Sequence, residues 1–146
     1  MSGEGDYQPS SQKWVRDQVA AFEASNGSAA NTLRDTGMPI VVVTNRGRNS
    51  GAVRKTPVMR VEHDGRYLMV ASQGGAPKHP AWYYNLLAEP VVELQDGATR
   101  SRFRTRVLDG QERELWWERA VAEYPPYADY QRRTDRVIPV LLLEPV

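Results

Sequence analysis

Apolar residues recur along the chain in two rhythms. Near the start, Val15, Val19 and Phe22 are four and three apart, which sets one stripe on a helix. Ser10 or Ser11 caps that helix, which runs to about Ser25 and ends at Asn26-Gly27. From Pro39 the rhythm changes. Ile40 to Thr44 is a continuous β-branched run, as a buried strand carries. Thr56–His63 and Arg66–Ser72 flank Asp64-Gly65, and Val91–Gln95 and Arg100–Leu108 flank Asp96-Gly97. An Asp-Gly pair between two such runs predicts a tight hairpin. Val137–Leu143 reads as a last strand, and Pro139, with no N–H to give, places it at an edge or a bulge. Helical spacing returns at His79–Ala88 and at about Gln111–Tyr124, with a short helical turn after Pro125-Pro126. This order predicts an α+β fold, a small barrel of mainly antiparallel strands with flanking helices, and not an alternating βαβ chain.

Length and composition narrow the function. The 146 residues fit one domain, expected over 10–146, behind a loose tail of residues 1–9. Nineteen basic and 18 acidic side chains give a net charge of +1, without the footprint of a dedicated DNA binder. The absence of cysteine excludes disulfides, thiolate metal sites and cysteine nucleophiles. His63 and His79 are far apart, so no histidine metal site is expected. The apolar runs Ile40–Val43 and Val137–Leu143 fall far short of the ~20 residues of a membrane span. The first residues carry neither a basic start nor an apolar stretch, so a cytoplasmic protein is expected.

Four segments hold candidate chemistry. Between Asn45 and Pro57 lie two glycines and the cations Arg46, Arg48, Arg54 and Lys55. Glycine turns wrap anions and arginine forks match phosphate or carboxylate; the plainer reading is an exposed basic hairpin loop. Ala71 to Leu86 joins a strand end, Ser72, a Gly74-Gly75 turn, Lys78 and a helix opening near Pro80. Such a helix start seats anions, and Trp82 and Tyr83 can wall a flat ring, unless Trp82 and Leu86 are plain core contacts. Tyr124, Tyr127 and Tyr130 recur every three residues and on one helical turn would point together, either lining a pocket or covering the core. Arg100, Arg102, Arg104 and Arg106 share a strand face opposite Phe103 and Val107; a solvated exterior paired with carboxylates such as Glu93 outweighs an anion groove. The Val15-Val19-Phe22 stripe packs on the body, touches a membrane surface or closes a site. No Ser-His-Asp triad or carboxylate pair is evident, so an enzyme here would leave the hard chemistry to a cofactor.

Arg46–Pro57, Ala71–Leu86 and Tyr124–Asp135, followed by Ile138-Pro139, resemble the deazaflavin-dependent nitroreductase family of actinobacteria, over roughly Gly37 to Pro145. The resemblance implies a split β-barrel of the pyridoxamine-oxidase-like, FMN-binding-like type, with about six strands. It implies coenzyme F420, an 8-hydroxy-5-deazaflavin with a phosphate and a polyglutamate tail. It further implies hydride transfer from the reduced cofactor to an electron-poor acceptor, a quinone or a nitroaromatic compound. Arg48, Asn49 and Ser50 match the loop that holds the anionic tail. Arg54, Lys55, Thr56, Pro57, Val58 and Met59 match the strand entry that holds phosphate and borders the ring. Val70, Ala71, Ser72 and Gln73 match the strand end beside the deazaflavin, and Ala81, Trp82, Tyr83, Tyr84 and Asn85 the helix start at the cofactor. Ser72, Tyr124, Tyr127 and Tyr130 match positions around the acceptor, with Tyr127 also near the cofactor. Gln73 stands where some members carry a base, leaving Lys78 as a replacement. The first helix is more polar than a membrane anchor, so membrane contact is at most peripheral. Three rivals remain at this point: an FMN enzyme on the same barrel, a nucleic-acid-binding barrel and a non-catalytic deazaflavin carrier.

Overall fold

A computed structural model describes residues 6–33 and 36–146. The elements run α1 (Lys13–Ala24), β1 (Ile40–Arg46), β2 (Val53–Met59), β3 (Glu62–His63), β4 (Arg66–Val70), a short 3-10 turn (Gln73–Gly75), α2 (Ala81–Ala88), β5 (Val91–Asp96), β6 (Thr99–Val107), α3 (Gly110–Glu123), α4 (Pro126–Arg132) and β7 (Val140–Pro145). The strands form one seven-stranded sheet in the order β2-β1-β5-β6-β7-β4-β3, with every neighbouring pair antiparallel.

The order itself explains the curl. The two outermost strands, β2 and β3, are separated only by Arg60 and Val61. A chain advances at most ~3.3–3.6 Å per residue, so the sheet must bend until its two edges meet at this corner. The result is the open, split barrel. Arg60 seals the corner: its Nε donates to Asp96 Oδ2 at 2.9 Å, and the same oxygen accepts from the Tyr67 hydroxyl at 2.6 Å. Burial, reinforced by Asp96, pushes the Tyr67 phenol up to about 12.

The curl also explains the β-branched run in β1. Val41 and Val43 point inward, where they meet Met69, Leu141, Leu143 and Phe103 from across the barrel and Leu86 of α2. Ile40 and Val42 point outward and are covered by Val19 and Phe22 of α1. On the outer face, Trp116 and Ala120 of α3 and Tyr127 of α4 cover Leu68, Val70 and Leu142. Each fully buried aliphatic side chain stabilises by about 1.5–3 kcal/mol, so helices on the outside are part of the core.

Several expectations need correction. Thr56–His63 is two strands, because the chain turns the barrel corner at Arg60–Val61; this raises the strand count from six to seven. Strand β2 begins at Val53, which leaves only Gly47 to Ala52 as loop and puts Arg54 and Lys55 on a strand. The last strand is not at an edge: β7 lies between β6 and β4. Pro139 precedes its first residue, where a missing N–H costs no ladder bond, and the Pro139 carbonyl accepts from Ala71 N at 2.9 Å. Helix α1 starts at Lys13, with Gln12 at the cap position and no side-chain cap; Ser10 Oγ accepts from Gln12 N at 3.1 Å instead. The solvated arginine face is as expected, with Arg100, Arg102 and Arg104 exposed and Arg106 paired with carboxylates; only the partners differ, Glu144 and Glu112 in place of Glu93. Val107 is exposed as well. Of the stretch 1–9, residues 1–5 lie outside the described residues. Asp6 accepts from Val53 N and Gln8 N donates to Val53 O, a parallel bridge on the edge of β2.

Candidate active site

A cleft of about 450 Å³ opens beside the β1-β2 hairpin. Of the residues singled out in the sequence, Arg48, Asn49, Ser50, Arg54, Lys55, Thr56, Pro57, Ala81, Trp82 and Asn85 line it. The hairpin turn is tied by Gly47 N to Ala52 O at 2.8 Å, Gly51 N to Gly47 O at 2.8 Å, and Ala52 N to Ser50 Oγ at 3.1 Å. It is bolted to α2 by Asn85, which is buried. The Asn85 Oδ1 accepts from Arg48 N at 3.0 Å and from the Arg48 guanidinium at 3.1 Å. The guanidinium also lies 5.2 Å from the Tyr84 ring centre. A single side-chain amide thus fixes both the backbone and the charge of the turn.

The cations are not equivalent. Lys55 Nζ pairs with Glu23 of α1 at 2.6 Å and stands 4.8 Å from the Tyr7 ring. The Arg54 side chain is half-buried and, among the described residues, makes no hydrogen bond or ion pair, while its backbone pairs with Asn45 in the β1-β2 ladder. A Cβ on Gly47 would crowd Ser50 Oγ at 3.0 Å and only touch Arg54 Nε, at 3.9 Å.

The other wall was missed by sequence reasoning. Gln8, Ser10, Ser11, Gln12, Trp14 and Val15 line the same cleft. Val15 belongs to the stripe for which closing a site is one reading; nothing in the local spacing indicates the others, which the bridge of residues 6–8 to Val53 brings there.

The second half of the predicted site sits apart from this cleft. Val58 and Met59 pack in the core, as do Val70 and Ala71. Ser72 is buried at the end of β4, while Gln73 and Lys78 are exposed. Tyr83 and Tyr84 stack around His79, at ring distances of 4.8 and 5.9 Å. The turn after Ser72 rests on α4, close enough that a Cβ on Gly75 would fall 2.8 Å from the Tyr130 carbonyl oxygen.

The three tyrosines do come together, though not on one helical turn. Tyr124 ends α3, and Tyr127 and Tyr130 belong to α4. Tyr124 and Tyr127 rings meet at 5.0 Å, and the Tyr124 and Tyr130 hydroxyls share a hydrogen bond of 3.0 Å. Burial, then this bond, pushes the Tyr124 phenol up to about 12. Burial pushes Tyr127 up further, and its ring belongs to the core under α3. Among the described residues no cluster of histidine and carboxylate groups could hold a metal, and no helix is long and apolar enough to cross a membrane.

With this geometry in hand, comparison with known proteins is direct. A solved structure of an F420-H2 dependent reductase, FDR-A, is 54% identical with a TM-score of 0.70, covering 73% of this chain and 94% of that one. A solved domain-swapped dimer is 47% identical with a TM-score of 0.72, covering 92% of this chain and 100% of that one. The F420H(2)-dependent quinone reductase Rv1261c of Mycobacterium tuberculosis (strain ATCC 25618 / H37Rv) is 31% identical over 127 residues, 85% of each chain. The sequence profile of one family matches residues 14–145. A split barrel, a cationic cleft beside a tryptophan and these similarities agree, and the chain belongs to the F420H(2)-dependent quinone reductase family, whose cofactor is coenzyme F420.

Proposed function

We propose that the cleft holds the anionic arm of reduced F420 and that the Ser72–Tyr130 side of the site receives a quinone. The residues fit the cofactor. An arm bearing a phosphate and carboxylates meets Arg48, Arg54 and Lys55 and the hydroxyl and amide donors of Asn49 and Ser50. Trp82, Thr56, Pro57 and Val15 offer a largely apolar wall for a flat ring. Charged hydrogen bonds contribute ~1.5–3 kcal/mol each, so three of them supply about 4.5–9 kcal/mol, and burial of the flat ring has to supply the rest of a micromolar affinity after association costs.

The observation that carries this reading is Arg54. A half-buried guanidinium with no carboxylate partner among the described residues, beside Arg48 and in the same cleft as Trp82, is completed by a bound anion. At the ring's edge we place Ala81 and Asn85, which line the cleft, with Tyr83, Tyr84, Gln73 and Lys78 beyond them and Lys78 standing in for the base that Gln73 replaces; Val58, Met59, Val70, Ala71 and Tyr127 support the ring from the core and do not touch it.

Bound, reduced F420 supplies a hydride from C5. The chain's task is to position the acceptor and stabilise the negative charge that grows on its oxygen. In the Tyr124–Tyr130 pair one hydroxyl donates to the other, so one O–H stays free to donate outward. With its pKa raised to about 12, Tyr124 stays protonated at neutral pH and is a donor rather than a base. Ser72 supplies a second hydroxyl, and a tyrosine or water delivers the proton. A nitroaromatic compound offers similar electron-poor oxygens, so it is the second acceptor proposed.

Stopped-flow mixing of F420H2 with a menaquinone-like quinone and with a nitroimidazole, with and without the protein, tests the reading. Protein-dependent loss of the reduced cofactor with the quinone is expected. Binding of F420 without turnover of either acceptor would make the chain a carrier, and purification with a tightly held flavin would favour FMN.

A further inference from the structure

Arg136 lies in the bend between α4 and β7, outside every motif that suggested chemistry. Its guanidinium nevertheless donates to four acceptors of a single segment. Nε reaches the Ala76 carbonyl at 2.8 Å; one terminal nitrogen reaches the Ala71 carbonyl at 3.1 Å and His79 Nδ1 at 2.8 Å; the other reaches the Ser72 carbonyl at 2.7 Å. Among the described residues no carboxylate pairs with it. Between these anchor points the chain passes through three successive left-handed residues, Gln73, Gly74 and Gly75, with φ of 45°, 64° and 82°. Left-handed backbone at a non-glycine residue persists only where its surroundings hold it.

We infer that Arg136 is the positioning residue of the site: its forked guanidinium clasps both ends of the 71–79 bend and so holds the Ser72 hydroxyl on the acceptor side. This rests on the reading that Ser72 faces the acceptor. Lysine cannot substitute, because a point charge on a flexible stem does not span three carbonyls and a ring nitrogen in one plane.

The clasp has a second consequence. A guanidinium only donates, so His79 must present Nδ1 as a bare acceptor and carry its proton on Nε2. Burial and the charge of Arg136 together lower the His79 pKa from its ordinary 6.5. The other groups facing His79 are the Tyr83 and Tyr84 rings, and Tyr84 is itself covered by Arg48. Loss of Arg136 therefore removes a cation and raises the His79 pKa.

The test uses cofactor-free protein labelled with 15N-histidine, together with kinetics, for the natural chain and for Arg136→Gln and Arg136→Lys. In the natural chain His79 is expected to be the Nε2–H tautomer at pH 7 and to titrate below 6.5. In Arg136→Gln its pKa rises by at least half a unit. The Gly75 and Ala76 amides, which donate to Ser72 O and Gln73 O, exchange at least tenfold faster, while the Leu68 amide does not. Quinone kcat falls at least tenfold with F420 affinity within threefold, and Arg136→Lys does not rescue it. Protonated Nδ1 in the natural chain, unchanged exchange in a folded variant, or loss of F420 affinity with kcat intact would each overturn the proposal. Should Arg136→Gln not fold, the tautomer and titration of the natural chain decide. If Ser72→Ala leaves kcat unchanged while exchange and titration respond as expected, the site reading fails and the clasp stands.

Discussion

Replacing Gly75 with alanine separates a backbone effect from a contact effect at the centre of the site. Gly75 has φ of +82°, and an alanine held there costs about 1–2 kcal/mol for its left-handed backbone. Its new methyl would also lie 2.8 Å from the Tyr130 carbonyl oxygen, 3.0 Å from Arg133 Cβ and 3.2 Å from Tyr130 Cα. Two of these three atoms are backbone, so the turn or α4 must move, and overpacking of that kind adds about 1–3 kcal/mol. The sum is about 2–5 kcal/mol, and at this chain length each kcal/mol lowers Tm by about 4 °C. Gly75→Ala should therefore melt about 8–20 °C below the natural protein in a calorimeter. Gly74→Ala is the matched reference. Its φ is +64° but nothing lies within 4 Å of the added Cβ, so only the backbone cost applies and the fall should be about 4–8 °C. Because Gly75 presses the Ser72 turn on the Tyr130 helix, its variant should also lose more quinone turnover than the Gly74 variant. Equal Tm shifts, or a larger one at Gly74, would refute the packing of this turn on α4.

Other outcomes follow from the same geometry. Glu23→Gln frees Lys55 from a 2.6 Å ion pair; F420 should bind about two- to fivefold tighter by fluorescence titration, at a cost of under about 1 kcal/mol in stability. Asn85→Leu removes the acceptor of the Arg48 amide and leaves its guanidinium only the longer 3.4 Å contact to the Ala81 carbonyl, which should weaken F420 by about tenfold and cost about 1–3 kcal/mol in denaturant unfolding. Tyr130→Phe removes the 3.0 Å hydroxyl contact; quinone turnover should fall while F420 affinity is unchanged, and the Tyr124 phenol should titrate closer to 10. Tyr67 and Tyr124 are raised to about 12 and Tyr127 is raised too. Their protonated forms favour the folded state, so this contribution is intact below pH 10 and is lost as pH climbs toward 12; a pH series of melting curves should decline in that window.

What was legible in the sequence was local. Asp64-Gly65 forms its hairpin because both residues take positive φ, 53° and 77°, the backbone that such a turn demands. The β-branched run in β1 was readable because both its faces are buried. The gathering of Arg48, Asn49, Ser50 and Arg54 in one cleft was readable because one hairpin carries them all. What could not be read depends on contacts between distant positions. Pro139 argued for an edge strand or a bulge, but its place one residue before β7 makes it harmless in the middle of the sheet. Lys55 counted among the hairpin's anion-binding cations, and its ion pair with Glu23 of α1, 32 positions away, could not be read from the hairpin. Arg136 carries no motif at all, and its acceptors at Ala71, Ser72, Ala76 and His79 lie 57 to 65 residues away. Composition could show that arginines were available; only the curl of the sheet decides which of them line the cleft.

The most direct measurement is a titration of tryptophan emission with F420 species of increasing glutamate number, on the natural protein and on Arg54→Ala. Trp82 and Trp14 line the cleft, so binding should quench emission. Affinity should rise with each added glutamate, and Arg54→Ala should weaken binding at least tenfold and flatten that dependence. Undiminished emission, or an Arg54→Ala protein that binds every tail length as the natural chain does, would contradict the assignment of this cleft to the cofactor's charged arm.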